Sequence, residues 1–304
     1  MSKRLAAIIG ALLLVAGLFF WDFETGEDRD HQGDLPINAP GEVQEELDPA
    51  TPADWDWVSK QEKLYQLKDK ELESLLGELK ARFSDPLERL RALSLLRIGT
   101  PHEADCLGEE AGYDPDPLFR LDVADCTSFV LTNVALLHSE DLKGAEAMME
   151  ELNYYPDSEI SFENRLHFTT ERNRVSPYFE DVTASLVGEE KVVQKSVVLN
   201  KIQSNGKRLI PINWQKRVSF EYIPNQYLKE GLFSDFPPAL GLAFIRESDA
   251  DRGLDVAHEG FLFEGKELIY SSSILKEVVA VDFLDYHFSP DHVKFDGVLL
   301  FEVK

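Results

Sequence analysis

Apolar positions change their spacing once along the chain, from a helical repeat to short continuous runs. Leucines at helical spacing predict a helix over 60–79. A second apolar stretch predicts a helix over 87–98, and Asp85-Pro86 separates the two. Residues 105–125 lack such spacing and predict a loop, whereas the largely apolar stretch 126–138 predicts a buried helix.

Beyond residue 190 the apolar runs become short and rich in β-branched and aromatic residues, which is typical of strands. The predicted strands are 192–200, 218–223, 240–246, 259–263, 268–272, 278–283 and 298–303. The sequence contains no internal repeat. Helices that precede strands in this way predict an α+β domain.

Residues 1–22 have the features of an export signal or a membrane anchor. A short basic start precedes an unbroken apolar run over 5–21, which is near the shortest length that spans a bilayer. Val15-Ala16-Gly17 is a weak cleavage site, and the apolar residues beyond it favour an anchor over a cleaved signal. Because the basic residues come first, we expect an exported protein, in the periplasm or on the outer face of the cytoplasmic membrane.

Residues 23–54 are acidic and interrupted by prolines, which predicts an extended linker before a folded domain over 55–304. The whole chain has 31 Lys and Arg against 56 Asp and Glu, a formal net charge of −25. This charge argues against nucleic-acid binding, because phosphates require cations. The 43% hydrophobic content argues against a disordered chain, and two cysteines are too few for a disulfide framework.

The first candidate for chemistry is Cys126, at the junction between the predicted loop and the buried helix. Unpaired backbone N–H groups in a first helical turn favour a thiolate and can hold a developing oxyanion. The alternative is a small buried side chain preceded by Asp125 as the helix cap. Cys106 lies in a polar loop without this setting, and it can pair with Cys126 only if Cys126 is not catalytic.

The histidine that stands out is His258, which opens a predicted hairpin with its turn at Glu264-Gly265. A histidine in this position can act as a base, with side chains of the return strand to orient it, or it can be an ordinary surface residue. No pair of histidines has the spacing of zinc ligands such as H-E-x-x-H, so we predict neither a metal nor a cofactor.

A cysteine at a helix start, followed much later by a histidine that opens a hairpin and a polar residue on the return strand, resembles the papain-like cysteine peptidases of the NlpC type. Within that group the chain resembles the N-acetylmuramoyl-L-alanine amidase-like family over about residues 93–304. The resemblance rests on these blocks in order: Ile98-Gly-Thr-Pro101, Asp125-Cys-Thr-Ser-Phe-Val130, Asn164-Arg-Leu-His-Phe168, Asp181-Val-Thr183, Tyr222-Ile-Pro224, Gly253-Leu-Asp-Val-Ala-His258-Glu-Gly260 and Tyr270-Ser-Ser-Ser273.

The resemblance implies an α+β papain-like fold of the NlpC type, with N-terminal helices and the catalytic Cys at a helix start, packed on a mostly antiparallel sheet. It implies a cell-wall hydrolase that cuts the amide between the lactyl group of N-acetylmuramic acid and L-alanine in peptidoglycan fragments. Cys126 is then the nucleophile and His258 the general base, and Tyr270 takes the third catalytic position. The oligomeric state cannot be read from the sequence.

The resemblance also assigns substrate contacts. His167 and Arg165 match positions in a block that lies against the family's cleft, and the alternative for both is a surface segment. His102 falls near the nucleophile, and Ser272 is a second candidate for orienting His258.

The chain departs from the family pattern at positions near the site. Tyr270 stands where the family has histidine, His102 stands where it has tyrosine, and Leu131 stands where an acidic residue is frequent. These departures keep open a weak or inactive module that only binds wall fragments. Related acyl transfer or endopeptidase cleavage also stays open.

Overall fold

The computed structural model describes residues 49–290 and 295–304. The predicted anchor or signal at 1–22 and most of the predicted linker at 23–54 lie outside the described residues. The first described helix begins at Pro52, with Pro in its first turn, so it includes the last residues of the segment predicted as linker. Among the described residues, no helix combines the length and apolar character required to cross a bilayer.

The first half of the described chain is helical, as the apolar spacing predicts. The α-helices in the described part are α1 (Pro52–Ser59), α2 (Asp69–Arg82), α3 (Pro86–Leu96), α4 (Cys126–Leu137), α5 (Leu142–Asn153), α6 (Thr169–Val175), α7 (Thr183–Val187) and α8 (Phe283–Phe288). The stretch predicted as one helix over 60–79 is instead a 3-10 turn at Leu64–Gln66 followed by α2. The break occurs because the Glu71 carboxylate accepts the Lys68 N–H at 3.1 Å and starts a new helix there.

The second half forms one antiparallel sheet. Its strands are β1 (Phe179–Asp181), β2 (Val193–Leu199), β3 (Lys216–Pro224), β4 (Ala239–Ile245), β5 (His258–Phe263), β6 (Glu267–Ser272), β7 (Glu277–Asp282) and β8 (Gly297–Val303). Their order is β2-β3-β8-β4-β5-β6-β7, and β1 pairs with β8. The predicted α+β class is confirmed, and α1, β1, α5, α6, α7 and α8 are elements that the sequence did not predict.

The sheet is buried on both faces, which is clearest at β4, where every residue is buried. Leu242 and Phe244 point to one face, where they pack with residues of α7 and α8. Ala243 and Ile245 point to the other face and join the larger core beneath the helices. This alternation follows from the two-residue period of a strand.

Helix α4 is the central helix of the larger core, and every residue from Ser128 to Leu137 is buried. Its Phe129 packs against Phe261 of β5 with ring centroids 5.8 Å apart. Full burial of such a ring contributes about 1.5–3 kcal/mol. This packing holds the first residue of α4 near the first residue of β5.

The β5–β6 hairpin closes at the predicted turn. Glu264 and Gly265 have φ angles of 51° and 61°, the left-handed conformation that a type I′ turn requires at both central residues. A side chain at Gly265 would also meet the Phe233 backbone oxygen at 2.7 Å. The tight turn fixes the register that brings the end of β6 beside the start of β5.

Candidate active site

The start of α4 is built by a reciprocal cap. The Asp125 carboxylate accepts the Ser128 N–H at 2.7 Å, and the Asp125 N–H donates to the Ser128 hydroxyl at 2.8 Å. Cys126 is therefore the first residue of the helix. The backbone N–H groups of Cys126 and Thr127 have no hydrogen-bond partner among the described residues. Such free N–H groups at a helix start can hold an anion.

The start of β5 places His258 among aromatic rings. Its imidazole stacks on Phe244 with centroids 5.6 Å apart and meets the Tyr270 ring edge-on at 4.8 Å. The Nε2 atom of His258 is buried and has no hydrogen-bond partner among the described residues. An unpaired buried nitrogen costs free energy unless a ligand or a reacting group uses it.

A hydrogen bond between the residue after Cys126 and the residue after His258 connects the first turn of α4 with the first residues of β5. The Thr127 hydroxyl donates to the Glu259 carboxylate at 2.7 Å. The Glu259 backbone N–H and the Thr127 hydroxyl both face the Cys126 sulfur and act to lower its pKa. The structure thus brings the predicted nucleophile close to the first residues of β5, where the predicted base lies.

A cavity of about 140 Å³ opens beside the imidazole, and we call it the His258 cavity. Its wall includes Arg246, His258, Tyr270, Ser272, Ile274 and Tyr286. Arg246 donates from Nε to Asp249 at 2.8 Å, and its terminal nitrogens have no hydrogen-bond partner in the described part of the chain. In residues 49–290 and 295–304, no group of three or more His, Cys, Asp and Glu side chains is arranged to hold a metal ion.

Burial sets the protonation states of the thiol and the imidazole. It raises the pKa of Cys126 to about 12, and the carboxylates of Asp125 and Glu259 raise this pKa further. Burial lowers the pKa of His258 to about 4, and Glu259 acts in the opposite direction. Both groups are therefore neutral at neutral pH. Burial and the two carboxylates act against the thiolate that the free backbone N–H groups of the helix start favour.

Tyr270 and Ser272 lie beside His258, but neither hydrogen-bonds to its imidazole within the described residues. The Tyr270 hydroxyl faces the hydroxyls of Ser272 and Tyr286. The Ser272 hydroxyl accepts the Leu275 N–H at 3.0 Å in the turn after β6. The contact between Tyr270 and His258 is therefore made by the two rings.

His102 lies on the segment beside the Cys126 start. Its Nδ1 is 2.9 Å from the Ser271 hydroxyl, and that hydroxyl is 2.6 Å from the carbonyl of Ala124. Because the carbonyl can only accept, the hydroxyl proton goes to Ala124 and Nδ1 of His102 carries the other proton. This arrangement ties the end of β6 to the chain just before Cys126.

Arg165 and His167 do not line the His258 cavity. Arg165 forms ion pairs with Glu109 at 2.6 Å and Asp114 at 2.8 Å, and we call these three residues the Arg165 cluster. His167 Nε2 donates to the Phe162 carbonyl at 2.7 Å, and burial lowers the pKa of His167 to about 4. These contacts give both residues structural partners inside the chain.

The sequence did not predict the charged residues that contact the start of α4 and the start of β5. Glu259 pairs with Arg172 in a salt bridge whose side chains are each only 1% exposed. An acidic residue within the otherwise largely apolar strand β5 was the feature of the sequence that could have indicated this role for Glu259. Both cysteines are free, and the sulfur of Cys106 lies 3.2 Å from the Ser128 hydroxyl, so the alternative disulfide is not formed.

The fold and the site define a mixed α+β domain in which the thiol of Cys126 at the start of α4 lies near the start of β5, which carries the imidazole of His258. The family model for N-acetylmuramoyl-L-alanine amidase-like (AmiA-like) proteins matches residues 92–291. The chain belongs to this family, and the resemblance predicted from its sequence is confirmed.

Solved structures with similar folds come from bacteria. Protein LPG0564 from Legionella pneumophila aligns with a TM-score of 0.64 at 22% identity, over 77% of this chain and 94% of that one. An N-acetylmuramoyl-L-alanine amidase from Bacteroides uniformis aligns with a TM-score of 0.55 at 19% identity, over 73% of this chain and 98% of that one. Because the sequence identities are this low, the structural similarity establishes a shared fold and nothing more. The chain has no match among the curated proteins.

Proposed function

We propose that this protein is a papain-like cysteine amidase of the NlpC type. Its substrate is the amide between the lactyl group of N-acetylmuramic acid and L-alanine in peptidoglycan fragments. The observation that carries the proposal is the meeting of the α4 start with the β5 start, where Thr127 bonds to Glu259 at 2.7 Å beside a cavity lined by His258. Membership of the amidase-like family supports the choice of bond.

The first half of the reaction begins from neutral groups. As the Cys126 sulfur attacks the lactyl carbonyl carbon, the His258 imidazole takes the thiol proton. The free N–H groups of Cys126 and Thr127 stabilise the oxyanion of the tetrahedral intermediate. The carbon–nitrogen bond then breaks, and His258 gives its proton to the departing L-alanine nitrogen.

The second half releases the enzyme. The lactyl group is now held as a thioester on Cys126. Water attacks its carbonyl carbon while His258 accepts a proton from that water. The carbon–sulfur bond breaks, the lactyl carboxylate leaves, and the thiol is restored by the proton from His258. A neutral imidazole suits this cycle because it starts each half-reaction as a proton acceptor.

Arg246 provides a contact for the substrate in the wall of the His258 cavity. Its terminal guanidinium nitrogens are available for a carboxylate, which a guanidinium binds in a forked geometry. In Arg165, by contrast, Nε and Nη2 already donate to Glu109 and Asp114. We therefore assign recognition of a carboxylate on the peptide side of the scissile amide to Arg246.

A second function is favoured by two features of the cleft. Burial raises the pKa of Cys126 to about 12, and Tyr270 replaces the histidine that the family has on the return strand. A cleft with these features can bind wall fragments without cleaving them. This binding module is the alternative to the amidase.

Mass spectrometry of muropeptides incubated with the purified protein separates these functions. The amidase releases peptides with a free L-alanine amino group and glycan fragments with a lactyl carboxylate. Both products must be missing with the Cys126→Ala variant. Muropeptides that are retained by the wild-type protein but remain intact would establish the binding module instead.

We also propose that the protein is exported and held at the outer face of the cytoplasmic membrane by residues 5–21. The support is the apolar run after a basic start. N-terminal sequencing of the protein from isolated membranes tests this: an anchored protein retains the run. A mature protein that begins at Leu18 or soon after would show a cleaved signal.

A further inference from the structure

Glu259 is an ionisable residue in a place where strands normally carry apolar side chains. It is buried on β5, and its partner Arg172 on α6 is buried to the same extent, with 1% of each side chain exposed. Removing two charges from water is costly, and apolar residues of similar volume often stabilise a fold more. A gain in folding stability is therefore a poor explanation for burying this pair, and a functional role explains it better.

The geometry of the pair fixes the orientation of the Glu259 carboxylate. Arg172 donates from Nη2 to Oε2 at 2.8 Å and from Nη1 to Oε1 at 3.1 Å. The guanidinium is held by the Asn173 side-chain oxygen at 3.2 Å and 3.1 Å, and it lies over the Phe179 ring at 4.6 Å. A forked pair of hydrogen bonds sets the plane of a carboxylate as well as its position.

The carboxylate held in this way contacts the start of α4. Its Oε1 accepts the Thr127 hydroxyl at 2.7 Å, the residue directly after Cys126. Glu259 is the residue directly after His258. The path Arg172–Glu259–Thr127 therefore connects the backbone that carries the thiol with the backbone that carries the imidazole.

We propose that the Arg172–Glu259–Thr127 path is a positioning device that holds Cys126 in register with His258 for proton transfer. This inference rests on the proposed cysteine mechanism. The side chains of Glu259 and Arg172 touch neither the substrate nor the transferred proton, and they act by holding Thr127, whose hydroxyl faces the Cys126 sulfur and whose backbone N–H belongs to the oxyanion site. Small displacements matter, because a 1 Å misplacement of reacting groups can cost about a hundredfold in rate.

The experiment measures the rate at which iodoacetamide alkylates Cys126 as a function of pH, by intact-protein mass spectrometry on the full chain. Thr127→Val has the same shape but removes the hydroxyl that meets Glu259. We expect alkylation at neutral pH to slow by roughly ten- to a hundredfold, with a shifted pH profile. Thr127→Ser keeps a hydroxyl and should restore most of the rate.

Thr169→Val is the matched control. The Thr169 hydroxyl lies 3.4 Å from the same Oε1 atom of Glu259, but it belongs to α6 and not to the turn that carries Cys126. We expect its alkylation rate to stay within about twofold of wild type. Melting temperatures of all three variants show whether each is folded.

Two results would overturn the inference. One is a folded Thr127→Val protein with the wild-type alkylation rate and pH profile. The other is a Thr169→Val protein that loses as much reactivity as Thr127→Val, which would indicate a general loss of packing. Because alkylation needs no cell-wall substrate, these results stay interpretable even when the assigned substrate is wrong. Failure of the substrate assignment appears only in the muropeptide assay.

Discussion

The His258 cavity and the Arg165 cluster are built from the same kinds of side chain but use their hydrogen-bonding capacity differently. In the Arg165 cluster the guanidinium bonds to Glu109 and Asp114, and the Tyr154 hydroxyl adds a bond to Glu109 at 3.0 Å. In that group the buried Oε2 of Glu109 is left without a hydrogen-bond partner among the described residues. At the His258 cavity the imidazole Nε2 lacks a partner among the described residues, and so do the backbone N–H groups of Cys126 and Thr127 at the nearby start of α4.

This difference separates a structural clamp from a binding or reaction site. A cluster whose charges satisfy one another has little left to offer a ligand, and it holds two loops together. Unpaired donors and acceptors in a cleft raise the free energy of the protein, and a substrate that hydrogen-bonds to them lowers it again. The sequence predicted Arg165 and His167 as substrate contacts, whereas in the structure they lie outside the lining of the His258 cavity and have partners of their own.

The largest effect is expected from removal of the thiol in the cleft. Cys126→Ala should lower amide hydrolysis by at least about a thousandfold, because the thioester can no longer form. Cys106→Ala is the matched control, since that thiol bonds to Ser128 inside the core. Product release per folded molecule, followed by mass spectrometry, is the measurement. Retained hydrolysis in Cys126→Ala would remove the cysteine mechanism.

The two arginines provide the next contrast. Arg165→Ala should reduce the free energy of unfolding by about 3 kcal/mol, because Glu109 and Asp114 lose their counter-charge, and it should leave KM unchanged. Arg246→Ala should raise KM by about tenfold through loss of a charge-assisted hydrogen bond, and it should also lower stability because the buried Asp249 carboxylate loses the Nε donor at 2.8 Å. Denaturant unfolding and steady-state kinetics measure both. The reverse result would make Arg165 the substrate residue, as its sequence position predicts.

Acid should destabilise the fold, because His167 next to the Arg165 cluster and His258 at its cavity are buried as neutral imidazoles. Burial lowers the pKa of His167 and His258 from 6.5 to about 4. Between these values the unfolded chain binds protons that the folded chain excludes, so stability is lost as the pH falls through this window. Asp125 and Asp255, whose pKa burial raises, act in the opposite direction.

The measurement is the melting temperature at about pH 7 and about pH 5, for wild type and for His167→Asn. The variant should lose less stability on acidification, because it lacks one proton-binding group of the unfolded chain. An equal loss in both proteins would show that His167 titrates alike in the folded and unfolded states.

The smallest effect is expected at Tyr270. Its hydroxyl faces Ser272 and Tyr286, and its ring is the part that meets His258. Tyr270→Phe keeps the ring and should change kcat by less than about threefold, whereas Tyr270→Ala removes the edge-on contact. Steady-state kinetics with one substrate compares the two. A large loss of kcat in Tyr270→Phe would indicate that the phenol orients the imidazole.

The sequence by itself determined the features that depend on neighbours along the chain. Short β-branched and aromatic runs with turns between them located β2 to β8, and apolar stretches located α3 and α4 within a few residues. Cys126 begins α4 because Asp125 and Ser128 cap each other within one turn. His258 is the first residue of β5, as the predicted hairpin requires.

The tertiary structure alone decided which of these local features meet and how each group is ionised. Arg172 reaches Glu259 only when α6 packs against the sheet, and Arg165 is occupied only when the 109–114 loop folds over it. The neutral thiol of Cys126 follows from burial and from Asp125 and Glu259 beside it. Desolvation and long-range pairing depend on distances in space, and residue spacing along the chain does not encode them.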